Sequence, residues 1–337
     1  MKRCIVLLMS LLLLGCASVA PPPVASEAVF HDALFAPPAR RPDARALFEL
    51  TPAMRRHLVE RIEPQVRRHG APRALLDALY AQGDLRLEYE SLHTRTAAEA
   101  FDERRGNCLS LVLMTAAFAR ELGLPVRFHE VLGTPVVERN GVLTFVVGHV
   151  NLALGEGLRS DRSSPTGDAW LVVDFLPGQD LTRQQRRIVD ERRIAAMFMN
   201  NRAAEELSLG RVHQAYAWLR GAHAQDPAYA PLYNTLGIVY RHHGAWAQAE
   251  RALQMAITVD PDNTHAADNL AALRSARAAD EQHRLAVGAA AGGDLAGARQ
   301  HLQQAVANSG SAEQRARFAA KLQRLKAQGA AGGATLN

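Results

Sequence analysis

The sequence predicts an α+β domain followed by an all-α stack of helices, both preceded by an N-terminal export segment. Strand-forming patterns are confined to the middle of the chain, between about residues 126 and 175, and they follow a helical segment. A helix followed by antiparallel strands is typical of the α+β class. From about residue 196 onward strand patterns vanish, and small and apolar residues recur with a period of 34 residues. A fixed period of this length is typical of helical repeat arrays.

The N-terminus has the pattern of an export signal. Two basic residues precede an apolar run from Ile5 to Leu14, which is ten residues long and too short to span a bilayer. The following Leu13-Leu14-Gly15-Cys16 resembles the lipobox of bacterial lipoproteins. The resemblance implies that residues 1–15 are a signal peptide and that Cys16 carries acyl chains such as palmitate. It also implies an outer-membrane anchor facing the periplasm, because the aspartate associated with inner-membrane retention does not follow the cysteine. The alternative is an ordinary secreted protein.

Cysteine usage leaves one thiol to explain. Of the three cysteines, Cys4 leaves with the signal peptide and Cys16 takes the lipid, so Cys108 remains. Exported proteins normally pair their cysteines or do without them, so a solitary thiol is either buried and inert or in use.

The charge pattern argues against a nucleic-acid partner. The formal net charge is +5, and the basic residues are scattered among acidic ones. The sequence has no His/Cys cluster and no acidic loop of calcium-binding spacing, so it implies no metal and no cofactor.

The domain boundaries follow from composition. Residues 16–42 are rich in Ala and Pro, which predicts a lipid anchor and a flexible linker. Thr51-Pro52 has the pattern of an N-cap followed by proline at the first helical position, so ordered structure is expected to begin near it. We assign residues 43–195 to the α+β domain with its N-terminal helices, and residues 196–330 to the repeats with a capping helix.

The α+β domain contains one apolar helix and several strands. The helix is expected from Cys108 to Leu122, because Gly123 fits the position after its end and Pro125 bars continuation. Asn140-Gly141 has the pattern of a two-residue hairpin turn. The predicted strands are Val126–Val131, Val136–Arg139, Leu143–Leu154 and Trp170–Phe175, with a polar loop at 155–168.

The segment Phe101–Ser110, with the helix end Leu122–Arg127, resembles the transglutaminase-like superfamily. In that family a glycine shortly precedes a cysteine that opens a helix, and the helix ends in a Gly-hydrophobic-Pro turn. The resemblance implies a papain-like core, with Cys108 as nucleophile, His149 as base and Asp174 as the residue that orients the histidine. It also implies an oxyanion donor upstream of the cysteine, for which Tyr89 is the candidate.

General chemistry agrees with these assignments. A helix N-terminus favours a thiolate, a neighbouring imidazole can carry the proton, and a carboxylate can fix the imidazole tautomer. Gly106 is expected to leave room for substrate backbone. Each assignment has a structural alternative. Core packing is the alternative for Cys108 and His149, although the Gly-Asn-Cys helix start favours a catalytic Cys108. His129 is a rival base, but the family has no catalytic residue on the strand that follows this helix, so His149 is preferred. Asp174 inside an apolar strand needs a polar partner, and the polar Asn151 shares a strand face with His149.

The C-terminal region resembles tetratricopeptide repeats. Ala230–Asn263 is 34 residues long and carries the signature positions from Tyr233 to Pro261, while weaker copies begin near Ala203 and Leu285. An extra helix expected at Asn269–Arg274 breaks the strict register, and the last helix, about 312–327, is expected to cap three or four helical hairpins.

Two functions of different classes follow. The first is an envelope lipoprotein with thiol-dependent amide chemistry through an acyl-thioester, as a peptidase, amidase or acyltransferase, whose repeats dock a protein or peptide partner. The second is a lipid-anchored interaction scaffold without catalysis.

Overall fold

The structure is a computed structural model, and it describes residues 24–38, 42–81, 87–91, 93–140, 143–155, 170–176 and 185–331. The protein is mostly helical, with a small antiparallel sheet and a C-terminal helical stack. This architecture is compatible with the predicted α+β domain followed by an all-α region. The predicted signal peptide, Cys16 and the loop 156–168 lie outside the described residues.

Among the described residues before Cys108, most of the regular structure is helical. After α1 (Val24–Glu27) and two 3-10 turns (Asp32–Leu34 and Arg45–Phe48), α2 begins at Pro52, and the Thr51 side chain caps it by accepting from Met54 N at 3.2 Å. The predicted N-cap is therefore confirmed. From Pro52 to Glu121 the helical elements are α2 (Pro52–His57), a π-turn (Leu58–Ile62), α3 (Glu63–His69), α4 (Ala71–Leu76), a π-turn (Asp77–Ala81), α5 (Ala97–Glu103) and α6 (Cys108–Glu121).

The sheet has four antiparallel strands in the order β5-β4-β3-β6. Its strands are β3 (Val126–Asn140), β4 (Leu143–Gly155), β5 (Trp170–Val173) and β6 (Arg186–Val189). The two short strands predicted at 126–131 and 136–139 are one strand, β3, whose register against β4 shifts between Val131 and Val136. The predicted pairing of β3 with β4 is present and continues to Asn140 and Leu143, whereas Gly141 of the predicted turn lies outside the described residues. Sequence patterns did not predict β6, which pairs with β3.

Two further strands, β1 (Glu88–Tyr89) and β2 (Arg105–Gly106), pair in parallel. Tyr89 lies opposite Gly106, and Glu90 N donates to Gly106 O at 3.1 Å. These short strands were not predicted, because two residues carry no periodic pattern. Their pairing brings the segment around Tyr89 beside the start of α6.

The C-terminal region is a succession of helices in which neighbours along the chain contact each other. They are α7 (Glu191–Ser208), α8 (Val212–Gln225), α9 (Ala230–His242), α10 (Trp246–Val259), α11 (Thr264–Ala291), α12 (Leu295–Ala307) and α13 (Ala312–Ala331).

Two sequence-based boundaries need correction in this region. The predicted domain boundary at 195/196 lies inside α7, because Asp190 caps this helix by accepting from Arg193 N at 2.9 Å. The separate helix predicted at Asn269–Arg274 is part of α11, which is continuous for 28 residues. No glycine or proline interrupts α11 before Gly288, so nothing in the sequence stops it.

The sheet and the helical stack share one hydrophobic core, which is continuous from Val29 to Leu273. Strand β4 contacts α7, α9 and α11, the first helix of each successive hairpin. Gly148 on β4 lies so close to α7 that an added Cβ would meet Met197 Cε at 2.7 Å. The stack therefore supports the strand that carries His149.

The segment Val24–Pro38, which we call the strap, lies against the helical stack. Phe35 stacks on Tyr216 of α8 with ring centroids 3.9 Å apart. The Tyr216 hydroxyl donates to Asp32 Oδ1 at 2.7 Å, and the Tyr240 hydroxyl donates to Val29 O at 2.8 Å. The prediction of a flexible linker over 16–42 is therefore wrong for the strap. Composition pointed to disorder, but aromatic and charged side chains among the alanines and prolines give this segment partners on the stack.

Candidate active site

Cys108 is the first residue of α6. Asn107 caps this helix: its Oδ1 accepts from Ser110 N at 2.9 Å, and its Nδ2 donates to Thr94 Oγ1 at 2.8 Å. The thiol is free and the residue is only 4% exposed. The first backbone N–H groups of a helix have no partner within the helix, and together with the helix dipole they favour negative charge at this position.

Gly106 lies two residues before Cys108, for a steric reason that differs from the sequence-based expectation. A Cβ added there would lie 2.6 Å from Ser110 Cβ in the first turn of α6. A glycine is therefore required by the close approach of β2 to the helix start. Room for substrate backbone was the expected reason, whereas the contact that the structure shows is internal.

His149 and Asp174 form a buried pair. His149 lies on β4, and Asp174 follows the end of β5, whose Val173 pairs with Leu152 of β4. Nε2 of His149 lies 3.0 Å from Oδ1 and 2.9 Å from Oδ2 of the carboxylate. Both side chains are nearly inaccessible, at 1% and 3% exposure. A buried carboxylate next to an imidazole fixes the ring so that Nε2 carries the proton that points to Asp174.

The other ring nitrogen of His149 is Nδ1, and Cys108 is a neighbour of this imidazole. Nδ1 is buried and makes no regular hydrogen bond to any described residue. Burial lowers the pKa of His149, but the hydrogen bond to Asp174 and the neighbouring Cys108 outweigh burial and raise the pKa to about 9. Because Asp174 occupies Nε2, Nδ1 is the nitrogen left to interact with Cys108. This is the arrangement in which an imidazolium can pair with a thiolate.

Tyr89 lies within electrostatic range of the same groups. Burial, followed by the electrostatic influence of the neighbouring Cys108 and Asp174, raises its pKa to about 12. The phenol therefore keeps its proton and can donate a hydrogen bond. The side chain is 38% exposed, so it borders the site rather than the core. This placement suits the oxyanion donor for which Tyr89 is the candidate.

His129, the rival base, is not the histidine next to Cys108. It lies on β3 opposite Asn151, and its Nδ1 is 3.0 Å from Asn151 Oδ1. Burial lowers the pKa of His129, and Cys108 is not among the groups that shift it. Asn151 in turn donates from Nδ2 to Asp174 Oδ2 at 3.1 Å. The structure thus places His149 next to Cys108, and His129 behind the Asp174 carboxylate.

Sequence reasoning missed the roles of two residues of this site. It singled out neither the capping role of Asn107 nor the contact of Asn151 with Asp174. The pattern Asn107-Cys108-Leu109-Ser110 could have indicated the cap, since an Asn before a helical run is a typical N-cap. The contact of Asn151 depends on strand register and has no sequence signal of its own.

Within the described ranges, no group of three or more His, Cys, Asp or Glu side chains is arranged to hold a metal ion. In the same part of the chain, no helix has the length and apolar character that crossing a membrane requires. Neither a protein-family model nor a curated protein matches the chain significantly.

Proposed function

We propose that this protein performs thiol-dependent acyl chemistry on peptide or side-chain amides, with Cys108 as nucleophile. The observation that carries the proposal is that one helix start and two strands bring a free thiol, an imidazole and a carboxylate together in the order that this chemistry needs. The imidazole is oriented by the carboxylate through Nε2 and leaves Nδ1 for the thiol.

The proposed cycle has two steps. The Cys108 thiolate attacks the amide carbonyl carbon, and the backbone N–H of Cys108 and the Tyr89 hydroxyl stabilise the oxyanion. His149 then gives its Nδ1 proton to the leaving amine, the C–N bond breaks, and an acyl-thioester remains on Cys108. Water or a second amine attacks the thioester, His149 removes its proton, and the thiolate leaves. Hydrolysis gives a peptidase or amidase, and attack by an amine gives acyl transfer.

The proposed location is the periplasmic face of the outer membrane, with lipid on Cys16. The support for this is the lipobox-like Leu13-Leu14-Gly15-Cys16. The repeats are proposed to dock a protein or peptide partner. Since β4 already covers the first helix of each hairpin, this docking is assigned to the rest of the stack.

A non-catalytic scaffold is the second candidate, and one observation favours it. Cys108 is only 4% exposed, and a substrate carbonyl must reach its sulfur for any reaction. In a scaffold the buried thiol, imidazole and carboxylate serve the stability of the core.

Alkylation of Cys108 by iodoacetamide across a range of pH distinguishes the two candidates. The extent of reaction is read by mass spectrometry on the peptide that contains Cys108, in the unaltered chain and in His149→Ala. Fast alkylation at pH 6 that collapses in His149→Ala supports the enzyme. Slow alkylation at pH 6 in both proteins removes the basis for catalysis and leaves the scaffold.

A further inference from the structure

A buried polar chain continues from the candidate catalytic pair to a second histidine. His149, Asp174, Asn151 and His129 are linked in this order by contacts of 2.9 to 3.1 Å between neighbouring side chains. Asn151 is fully buried and His129 is half-buried. The two-step acyl mechanism uses the first two of these groups and assigns nothing to the other two.

The direction of each hydrogen bond in this chain is fixed by chemistry. Asp174 is an acceptor, so Asn151 donates to it from Nδ2. The Oδ1 of Asn151 is therefore the atom that faces His129, and it is an acceptor. His129 must then donate from Nδ1, which selects one tautomer of its ring. Every donor along the chain points toward the Asp174 carboxylate.

Asp174 needs such support because it lies just beyond the end of β5. Its Oδ1 also accepts from Leu176 N at 2.9 Å, while Oδ2 accepts from Asn151. Each carboxylate oxygen thus accepts from at least one donor besides His149, so the carboxylate plane is fixed relative to the imidazole. A residue outside the regular strand pairing depends on side-chain contacts of this kind for its orientation.

His129 is held in the donating state by its surroundings. It pairs with Asn151 of β4 on one side and with Ile188 of β6 on the other. Burial lowers the pKa of His129, the Asn151 hydrogen bond opposes this, and Arg186 and Arg127 lower the pKa further. A neutral ring carrying its proton on Nδ1 is sufficient for the contact with Asn151.

We infer that Asn151 and His129 are positioning residues, which hold the Asp174 carboxylate in the orientation that sets the tautomer and direction of His149. This inference rests on the proposed function, since it gives the chain a role in activating Cys108. Neither residue touches the thiol. The general principle is that side chains behind a catalytic group fix its geometry, and that small losses of alignment lower its efficiency.

The test compares His129→Phe with His129→Asn in the full-length chain. Phenylalanine fills the space without a donor, whereas the Nδ2 of asparagine can stand where the imidazole Nδ1 stands. The pH profile of Cys108 alkylation is measured by mass spectrometry, together with the thermal midpoint. Ile188→Ala is the matched control, because this exposed side chain lies on β6 directly opposite His129 but outside the polar chain.

The expected result is that His129→Phe reduces the rate of alkylation at pH 6 about tenfold. This is the change expected when the profile of alkylation against pH shifts by about one pH unit. His129→Asn and Ile188→Ala should stay within about threefold of the unaltered chain. Asn151→Leu should match or exceed the effect of His129→Phe. If Asn151→Leu fails to fold, the comparison of His129→Phe with His129→Asn still tests the inference.

Equal profiles for His129→Phe and His129→Asn overturn the inference, even if both proteins are less stable. The proposed function survives that outcome if His149→Ala still abolishes alkylation at pH 6. If His149→Ala has no effect on alkylation, the proposed function itself fails, so the two failures are distinguishable.

Discussion

Replacing Asp174 by Asn tests the physical basis of the site without requiring a substrate. In the unaltered chain both carboxylate oxygens accept hydrogen bonds, from Leu176 N and from Asn151 Nδ2, and both lie within 3.0 Å of His149 Nε2. Asparagine keeps the shape but turns one oxygen into a donor. A donor then faces a donor in a buried place, which costs about 1–3 kcal/mol, and the negative charge that holds His149 protonated is lost.

The charge contribution can be worked from the pKa of His149. A rise from 6.5 to about 9 corresponds to about 3 kcal/mol of stabilisation of the folded state, since each pKa unit is about 1.4 kcal/mol. Because the folded-state pKa is raised, this stabilisation is complete below pH 6.5 and is lost as the pH rises through 9. Asp174 and Cys108 share this contribution. Asp174→Asn should therefore reduce the free energy of unfolding at pH 6 by about 1–3 kcal/mol through the buried donor–donor contact, and by up to about 3 kcal/mol more through the lost charge. The loss should be up to about 3 kcal/mol smaller near pH 10, where His149 is already neutral.

The assay is urea unfolding of both proteins at pH 6 and pH 10, with the His149 ring followed by NMR. At each pH the free energy of unfolding of one protein is subtracted from that of the other. This removes the contribution of other titrating groups and leaves that of the His149–Asp174 pair. A destabilisation that is equal at both pH values would refute the reasoning, as would a His149 that titrates near 6.5 in the unaltered chain.

Three further predictions concern other parts of the chain. Tyr89→Phe should lower turnover of a peptide substrate about 100-fold, the cost of one oxyanion donor, and leave Cys108 alkylation unchanged; a loss of both would place Tyr89 in thiol activation instead. Gly106→Ala should lower the free energy of unfolding by about 1–3 kcal/mol in urea titrations, because its Cβ meets Ser110 at 2.6 Å, and an unaffected protein would contradict this steric requirement. Phe35→Ala removes the ring that stacks on Tyr216, so limited proteolysis should cut the strap faster, and unchanged cleavage rates would show that other contacts hold it.

Much of the local structure could be predicted from the sequence because it depends on neighbours in the chain. The cap at Thr51, the helix that begins at Cys108 and ends before Gly123, and the hairpin of β3 and β4 are each encoded in a few adjacent residues. Boundaries without such signals were misplaced. Helix α7 crosses the predicted domain boundary at 195/196, and α11 continues through the predicted break.

The sequence by itself determined which residue types the candidate site contains and that a lone thiol needed an explanation. It named Cys108, His149 and Asp174 through a family resemblance, and the contact of His149 with Asp174 is present in the structure. Only the tertiary structure decided that His149 rather than His129 faces the thiol, and that Asn151 joins the second histidine to the carboxylate. It also decided that the strap lies on the helical stack. The physical reason is that these contacts join side chains brought together by strand register and domain packing, whereas a sequence pattern records only the periodicity of its own segment.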